Sequence, residues 1–237
     1  MGDVEKLCIP LKGCAPGTKD IWEVLDRIGD PSSIGELWLA CCQAECRYVL
    51  KYQNYQKIVS PEGQYGASVS SDDFTQEVEI QRKMYEIGIA PKIVDEWECG
   101  DGEKKAGVMI MEALNETVYS LLHRYKDPKV WVEIIKRCID VMNKMHQAGY
   151  YHGDLHLKNI MAKDQILEGD QDKMADYYAH NYRYYLIDFG LSGKLPNYTG
   201  QRRDLATMWD GVMDAADGLF DNVQKRELEN LLADLDV

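Results

Sequence analysis

With 237 residues, 45% of them apolar, the chain is long enough to bury a core and too apolar to be disordered throughout. A formal charge of −13 argues against nonspecific binding to nucleic acid or to an anionic membrane, because both need a basic face. Seven cysteines occur without framework spacing; Cys41, Cys42 and Cys46 lie close together but no second ligand pair follows at zinc-site distance. They read as buried thiols of a reducing compartment. No apolar run approaches the ~18 residues of a membrane span. The opening MGDVEKLC has no signal-peptide apolar segment, and Lys6 stands where a myristoylation signal wants Ser or Thr. The expectation is a soluble, cytoplasmic protein.

Residues 1–20, with Pro10, Gly13, Pro16 and Gly17, read as an irregular entry segment. Apolar runs around 36–41 and 46–52 predict two strands joined by a short turn, and the second carries Lys51. Ahead of them, IGDPSSIGELWLA holds Gly29 and Gly35, glycines that let backbone N–H groups approach an anion, although Pro31 removes one donor. The polar stretch 54–71 predicts a loop. A helix follows over 73–87, with Asp73 and Gln76 as a capping box, Gly88 as its stop and Phe74, Val78, Met84 and Ile87 as its apolar face. VMIME, ending at Glu112, predicts a buried strand. Asp127-Pro128 predicts a helix start, and Trp131, Ile135, Cys138, Met142 and Met145 form its buried stripe up to Ala148. An Asp- and Tyr-rich insertion occupies 163–182, and Asn222 is placed as the cap of a last helix carrying Leu228, Leu231, Leu232 and Leu235.

Between these elements lie YYHGDLHLKNIM, residues 150–161, and YYLIDFG, residues 184–190. They give H-x-D-x-x-x-x-N followed by D-F-G, each beside a short apolar run. Phosphoryl transfer needs a carboxylate at the acceptor hydroxyl and a divalent metal on the phosphates, held in line. Asp154 offers the carboxylate, and Asn159 and Asp188 offer the hard oxygens that Mg²⁺ prefers. On these motifs the chain resembles the protein-kinase-like superfamily. Its short lower half is similar to the RIO and KEOPS-associated kinases and to minimal kinases of large DNA viruses or bacterial effectors.

The resemblance implies an α+β fold of two lobes: a β-rich N-lobe over 1–112 with its C-helix at 73–87, and a reduced helical C-lobe over 113–237. It implies that Gly29 and Gly35 cover ATP and that Lys51 meets the phosphates while paired with Glu77 rather than Glu79. The Glu112 carbonyl and the Leu114 amide would hold adenine beside Met111. Asp154, with His156 or Lys158, would serve the transferring group; Asn159 and Asp188 would bind Mg²⁺, and Asp204 would brace the catalytic loop. Three departures stand out: the middle glycine of the loop is missing, no A-P-E follows the D-F-G, and Gly153 replaces the arginine of H-R-D. The last predicts activity without activation-loop phosphorylation, which relies on that arginine. The function expected is an ATP-dependent Ser/Thr protein kinase with a protein substrate or an activating partner protein, and no nucleic acid. A small-molecule kinase of aminoglycoside or choline type, and a nucleotide-binding pseudokinase or partner-dependent ATPase, stay open.

Overall fold

The computed structural model describes residues 13–14, 21–28, 35–55, 70–100, 105–164, 182–195 and 199–233. Gly29, Pro31, Leu235, most of the 54–71 loop and the interior of the 163–182 insertion lie outside the described residues. Contacts along the chain divide it into two units, residues 1–82 with 92–113 and residues 83–91 with 114–237. The fold is α+β.

The first unit is an antiparallel sheet of β1 (Glu23–Ile28), β2 (Gly35–Cys42), β3 (Glu45–Asn54), β4 (Ile93–Cys99) and β5 (Ala106–Glu112), in the order β1-β2-β3-β5-β4. Strand β5 is buried on both faces, and the period of two sorts its side chains. Val108 and Ile110 pack with Trp22, Trp38, Ala40 and Leu50; Met109 and Met111 pack with Phe74 and Val78 of α1 (Ser71–Glu86). The helix begins two residues earlier than its sequence signal suggests. Ser70 is the cap: its N and Oγ donate to Asp73 Oδ2 at 2.8 and 2.7 Å, and Asp73 N donates back to Ser70 Oγ. Gly88, at φ +78, ends it by letting Ile89 N reach Met84 O. Ile87 is exposed, and the buried face is completed instead by Ile80 and Gln81.

The cysteines overturn the expectation of free thiols. Cys14 is bonded to Cys42 and Cys41 to Cys46, Cys99 is also disulfide-bonded, and Cys138 is the free thiol among the described cysteines. The β2–β3 turn explains one bridge. Its two residues, Gln43 and Ala44, have φ of +51° and +65°, the left-handed pair of a tight hairpin that normally calls for Asn-Gly. Neither residue favours that conformation, and the Cys41–Cys46 bond closes the strand ends across it.

The second unit is built on α3 (Pro128–Gln147), whose cap Asp127 accepts from Lys129 N and whose predicted stripe is fully buried. A small sheet joins β6 (Glu116–Thr117), β8 (Ile160–Asp164) and β9 (Tyr182–Leu186), and α2 (Val118–His123) follows β6. β7 (Tyr150–Tyr151) pairs with β10 (Gly193–Lys194), and α4 (Thr199–Asp217) and α5 (Asn222–Ala233) close the unit. Asn222 is not the cap of α5. Asp221 Oδ1 accepts from Val223 N and Gln224 N at 2.9 Å each, so the cap lies one residue earlier. Leu228 and Leu232 are buried, and Phe220 meets Trp131 of α3 with ring centroids 4.6 Å apart.

Burial pushes the Cys138 thiol up, so it stays protonated and unreactive in the folded chain. Alkylation of unreduced protein should therefore label Cys138 only after denaturation, and should leave Cys14, Cys41, Cys42, Cys46 and Cys99 unlabelled. Peptide mass spectrometry reads this directly; a label on Cys41 or Cys46 without reductant contradicts the disulfide assignment.

Candidate active site

Helix α3 ends at Gly149, φ +86, and β7 delivers the chain into the loop that starts at His152. That loop is pinned from below by one side chain. Asp204 of α4 is fully buried; its Oδ2 accepts from His152 N at 2.8 Å and its Oδ1 from Gly153 N at 2.7 Å. His146 Nε2 donates to the same Oδ2 at 2.9 Å. The site residue Asp204 thus holds two consecutive loop amides. Gly153 sits at φ +83, and a Cβ there would run into the Leu191 carbonyl oxygen. A side chain is therefore excluded, which gives a steric reason for the missing arginine of H-R-D.

The D-F-G turn is locked to the same loop. Ile187 N donates to Asn159 O at 3.0 Å, and Ile187 O accepts from His152 Nε2 at 2.9 Å. On the other side Ser192, buried, donates through Oγ to His152 O at 2.9 Å. Between these anchors Asp188 takes φ +62°, ψ +71°, a left-handed conformation that a non-glycine residue adopts only where its surroundings enforce it. Burial holds the His152 imidazole below its ordinary pKa, and its bond to the Ile187 carbonyl opposes this. The neutral ring donates from Nε2, leaving Nδ1 to accept from Asp154 N at 3.4 Å.

Asp154 is half-exposed, with Asn159 Nδ2 donating to its carbonyl at 2.9 Å and lying 3.4 Å from its Oδ2. With Nδ2 committed to Asp154, Oδ1 is the Asn159 atom suited to a cation. No group of three or more His, Cys, Asp or Glu suited to a metal occurs among the described residues. Mg²⁺ on substrate phosphates needs fewer protein ligands and accepts amide oxygen, so Asn159 and Asp188 fit it. His156 Nε2 lies 3.6 Å from Asp154 Oδ2, and its Nδ1 is a buried nitrogen with no partner among the described residues. Lys158 is turned to Tyr119, its Nζ 5.2 Å from the ring centroid.

In the first unit, Lys51 Nζ meets Glu77 Oε1 at 2.6 Å, with both side chains largely buried. Glu77 also accepts from Gln53 Nε2 at 2.5 Å. Gly35 opens β2, where a Cβ would stand 2.8 Å from Tyr52 O; close strand approach accounts for this glycine without a phosphate. Glu112 ends β5, its N donating to Lys92 O, and Leu114 follows, half-buried. Sequence reasoning missed His146, Ser192 and Gln53. The spacing of His146 from His152 fits the end of one helix and the start of its loop, but carries no hint of a shared aspartate fifty-odd residues later.

A family model described as lipopolysaccharide kinase (Kdo/WaaP) family matches residues 45–232, most of the chain. Curated proteins offer no match. Among solved structures the chain is similar to the "Crystal structure of BubR1 kinase domain", with a TM-score of 0.51 and 17% identity over 78% of this chain and 52% of that one. The chain spans about half the length of that kinase domain structure. The likeness establishes the fold.

A histidine held neutral by burial has a pKa lower in the folded than in the unfolded chain. Its stabilising contribution is present above the ordinary value of 6.5 and is lost as pH falls through the depressed folded value. Melting temperatures from pH 7.5 to 5 should therefore drop more steeply for wild type than for His152→Gln, whose amide keeps a donor but does not titrate. Parallel curves contradict the assignment.

Proposed function

Because the chain belongs to the lipopolysaccharide kinase (Kdo/WaaP) family, part of the protein-kinase-like superfamily, we propose that it transfers the γ-phosphoryl group of ATP to a sugar hydroxyl. The observation that carries the reading is a loop bearing Asp154 and Asn159, pinned by Asp204, to which the D-F-G turn bearing Asp188 is tied through His152, Ser192 and the Ile187 backbone. Asp154, half-exposed and oriented through its own carbonyl by Asn159, positions the acceptor hydroxyl and takes its proton late. Asn159 Oδ1 and Asp188 would hold Mg²⁺, which when bound would supply charge neutralisation at the phosphates. Lys51, fixed by Glu77, supplies a cation to phosphate oxygens. His156, beside Asp154, is the better candidate for charge at the transferring group, since Lys158 is engaged by Tyr119.

The family name directs the acceptor towards a saccharide rather than the Ser or Thr of a protein, the acceptor expected from the motifs alone. Disulfides persist in oxidising compartments and are rare in the cytosol, so the bridges of the first unit favour an oxidising compartment over the cytoplasm. No helix among the described residues is long and apolar enough to cross a membrane.

Incubation with γ-labelled ATP, Mg²⁺ and parallel saccharide and protein acceptors tests the reading. Label should enter the saccharide, and Asp154→Ala should lower transfer by about 100-fold or more, the usual worth of a positioned acid–base group, with Mg·ATP affinity within a few-fold. Asp188→Ala should abolish the rise in melting temperature that Mg·ATP gives wild type. Label in protein alone refutes the sugar acceptor, and equal loss of transfer and affinity in Asp154→Ala refutes its catalytic role.

A further inference from the structure

Lys51 and Gln53 lie two apart on β3, so the strand period turns both side chains to one face. Both reach one carboxylate: Lys51 takes Glu77 Oε1 at 2.6 Å, and the Gln53 amide donates to Oε2 at 2.5 Å. Gln53 is only 2% exposed, and its Oε1 has no hydrogen-bond partner among the described residues. A buried, half-satisfied amide costs stability that an apolar side chain of the same length would not. The fold nevertheless makes room for it. Across the ladder Gln53 faces Gly35 of β2 and Gly107 of β5, and a Cβ on Gly35 would come within 3.5 Å of Gln53 Cγ.

We propose that Gln53 is a positioning residue for nucleotide binding, locking the second oxygen of Glu77 so that the first presents Lys51 to phosphate. A carboxylate bound through one oxygen still turns about its last torsion, which is broad and two-fold. Bound through both, it has one orientation, and the lysine it holds inherits that order. Among the described residues the charged groups sharing this contact are Lys51 from the same strand and Glu77 from α1, and β2 and β5 set glycines opposite Gln53. The proposal rests on the kinase reading above.

The test measures Mg·ATP affinity by calorimetry from pH 5.5 to 8.5 for wild type, Gln53→Leu and Gln53→Glu, with nucleotide-free melting curves for each. Gln53→Leu should bind about tenfold more weakly, the worth of a hydrogen bond to a charged group. In Gln53→Glu the introduced carboxyl, buried against Glu77, keeps its proton well above the usual carboxylate range. At low pH its O–H replaces the amide, and affinity should approach that of wild type. As pH rises the proton leaves, the two carboxylates repel, and affinity should fall below that of Gln53→Leu. A structural role alone would lower melting temperatures without this widening gap. Parallel pH profiles, or wild-type affinity in Gln53→Leu, overturn the proposal. Should Gln53→Glu unfold at high pH, the apolar variant still decides. Wild type that binds no Mg·ATP overturns the kinase reading together with the role of Gln53, whereas wild-type binding with unchanged variants overturns the role of Gln53 alone.

Discussion

The candidate site depends on the carboxylate of Asp204, which is fully buried and accepts from His152 N, Gly153 N and His146 Nε2. Loop backbone seldom stays buried without partners, because each unpaired group costs about 1–3 kcal/mol. A single side chain on α4 meets that demand for two consecutive amides. The rest follows as a chain of hydrogen bonds: His152 takes the Ile187 carbonyl, Ile187 N takes Asn159 O, and Ser192 takes His152 O. Asp188 can then hold a left-handed backbone that it would not keep alone. The backbone positions of Asp154, Asn159 and Asp188 are thus set by one connected network of hydrogen bonds.

The first unit applies the same logic to a cation. Lys51 is ordered by Glu77, and Glu77 in turn by Gln53, with α1 fixed at its start by Ser70 and Asp73 and at its end by Gly88. The β2–β3 turn beside this strand has an unfavourable backbone at Gln43 and Ala44, and the Cys41–Cys46 bridge compensates for what Asn-Gly would otherwise supply. A disulfide lowers the entropy of the unfolded chain, by an amount that grows slowly with loop length. The strand bearing Lys51 thus enters its sheet from a covalently closed end.

Much of this was legible in the sequence, for identifiable reasons. The α3 stripe and the burial of VMIME follow from periodicity, which tertiary structure rarely overrides in long, regular segments. The candidate residues Asp154, Asn159 and Asp188 were legible as a pattern because H-x-D-x-x-x-x-N and D-F-G are short motifs, each confined to one turn of chain beside a strand. What stayed hidden depends on distant partners. The caps moved by a few residues because Ser70 and Asp73, or Asp221 and Asn222, are both good caps by type, and only backbone geometry chooses. The Cys14–Cys42 bridge joins residues twenty-eight apart, which meet only once the first unit has folded, and the Cys41–Cys46 bridge depends on a hairpin register that spacing alone does not fix. In the sequence Gly153 is a missing arginine; the crowding against Leu191 that forbids a side chain there exists only in three dimensions.

Amide hydrogen exchange, resolved by residue, tests the dependence on Asp204 most directly. In Asp204→Asn the loop keeps its sequence and loses the charge and one acceptor. The His152 and Gly153 amides should then exchange about tenfold faster or more, while amides in the middle of α3 keep wild-type protection. Unchanged protection at His152 and Gly153 would show that something other than this carboxylate holds the loop, and would contradict the account.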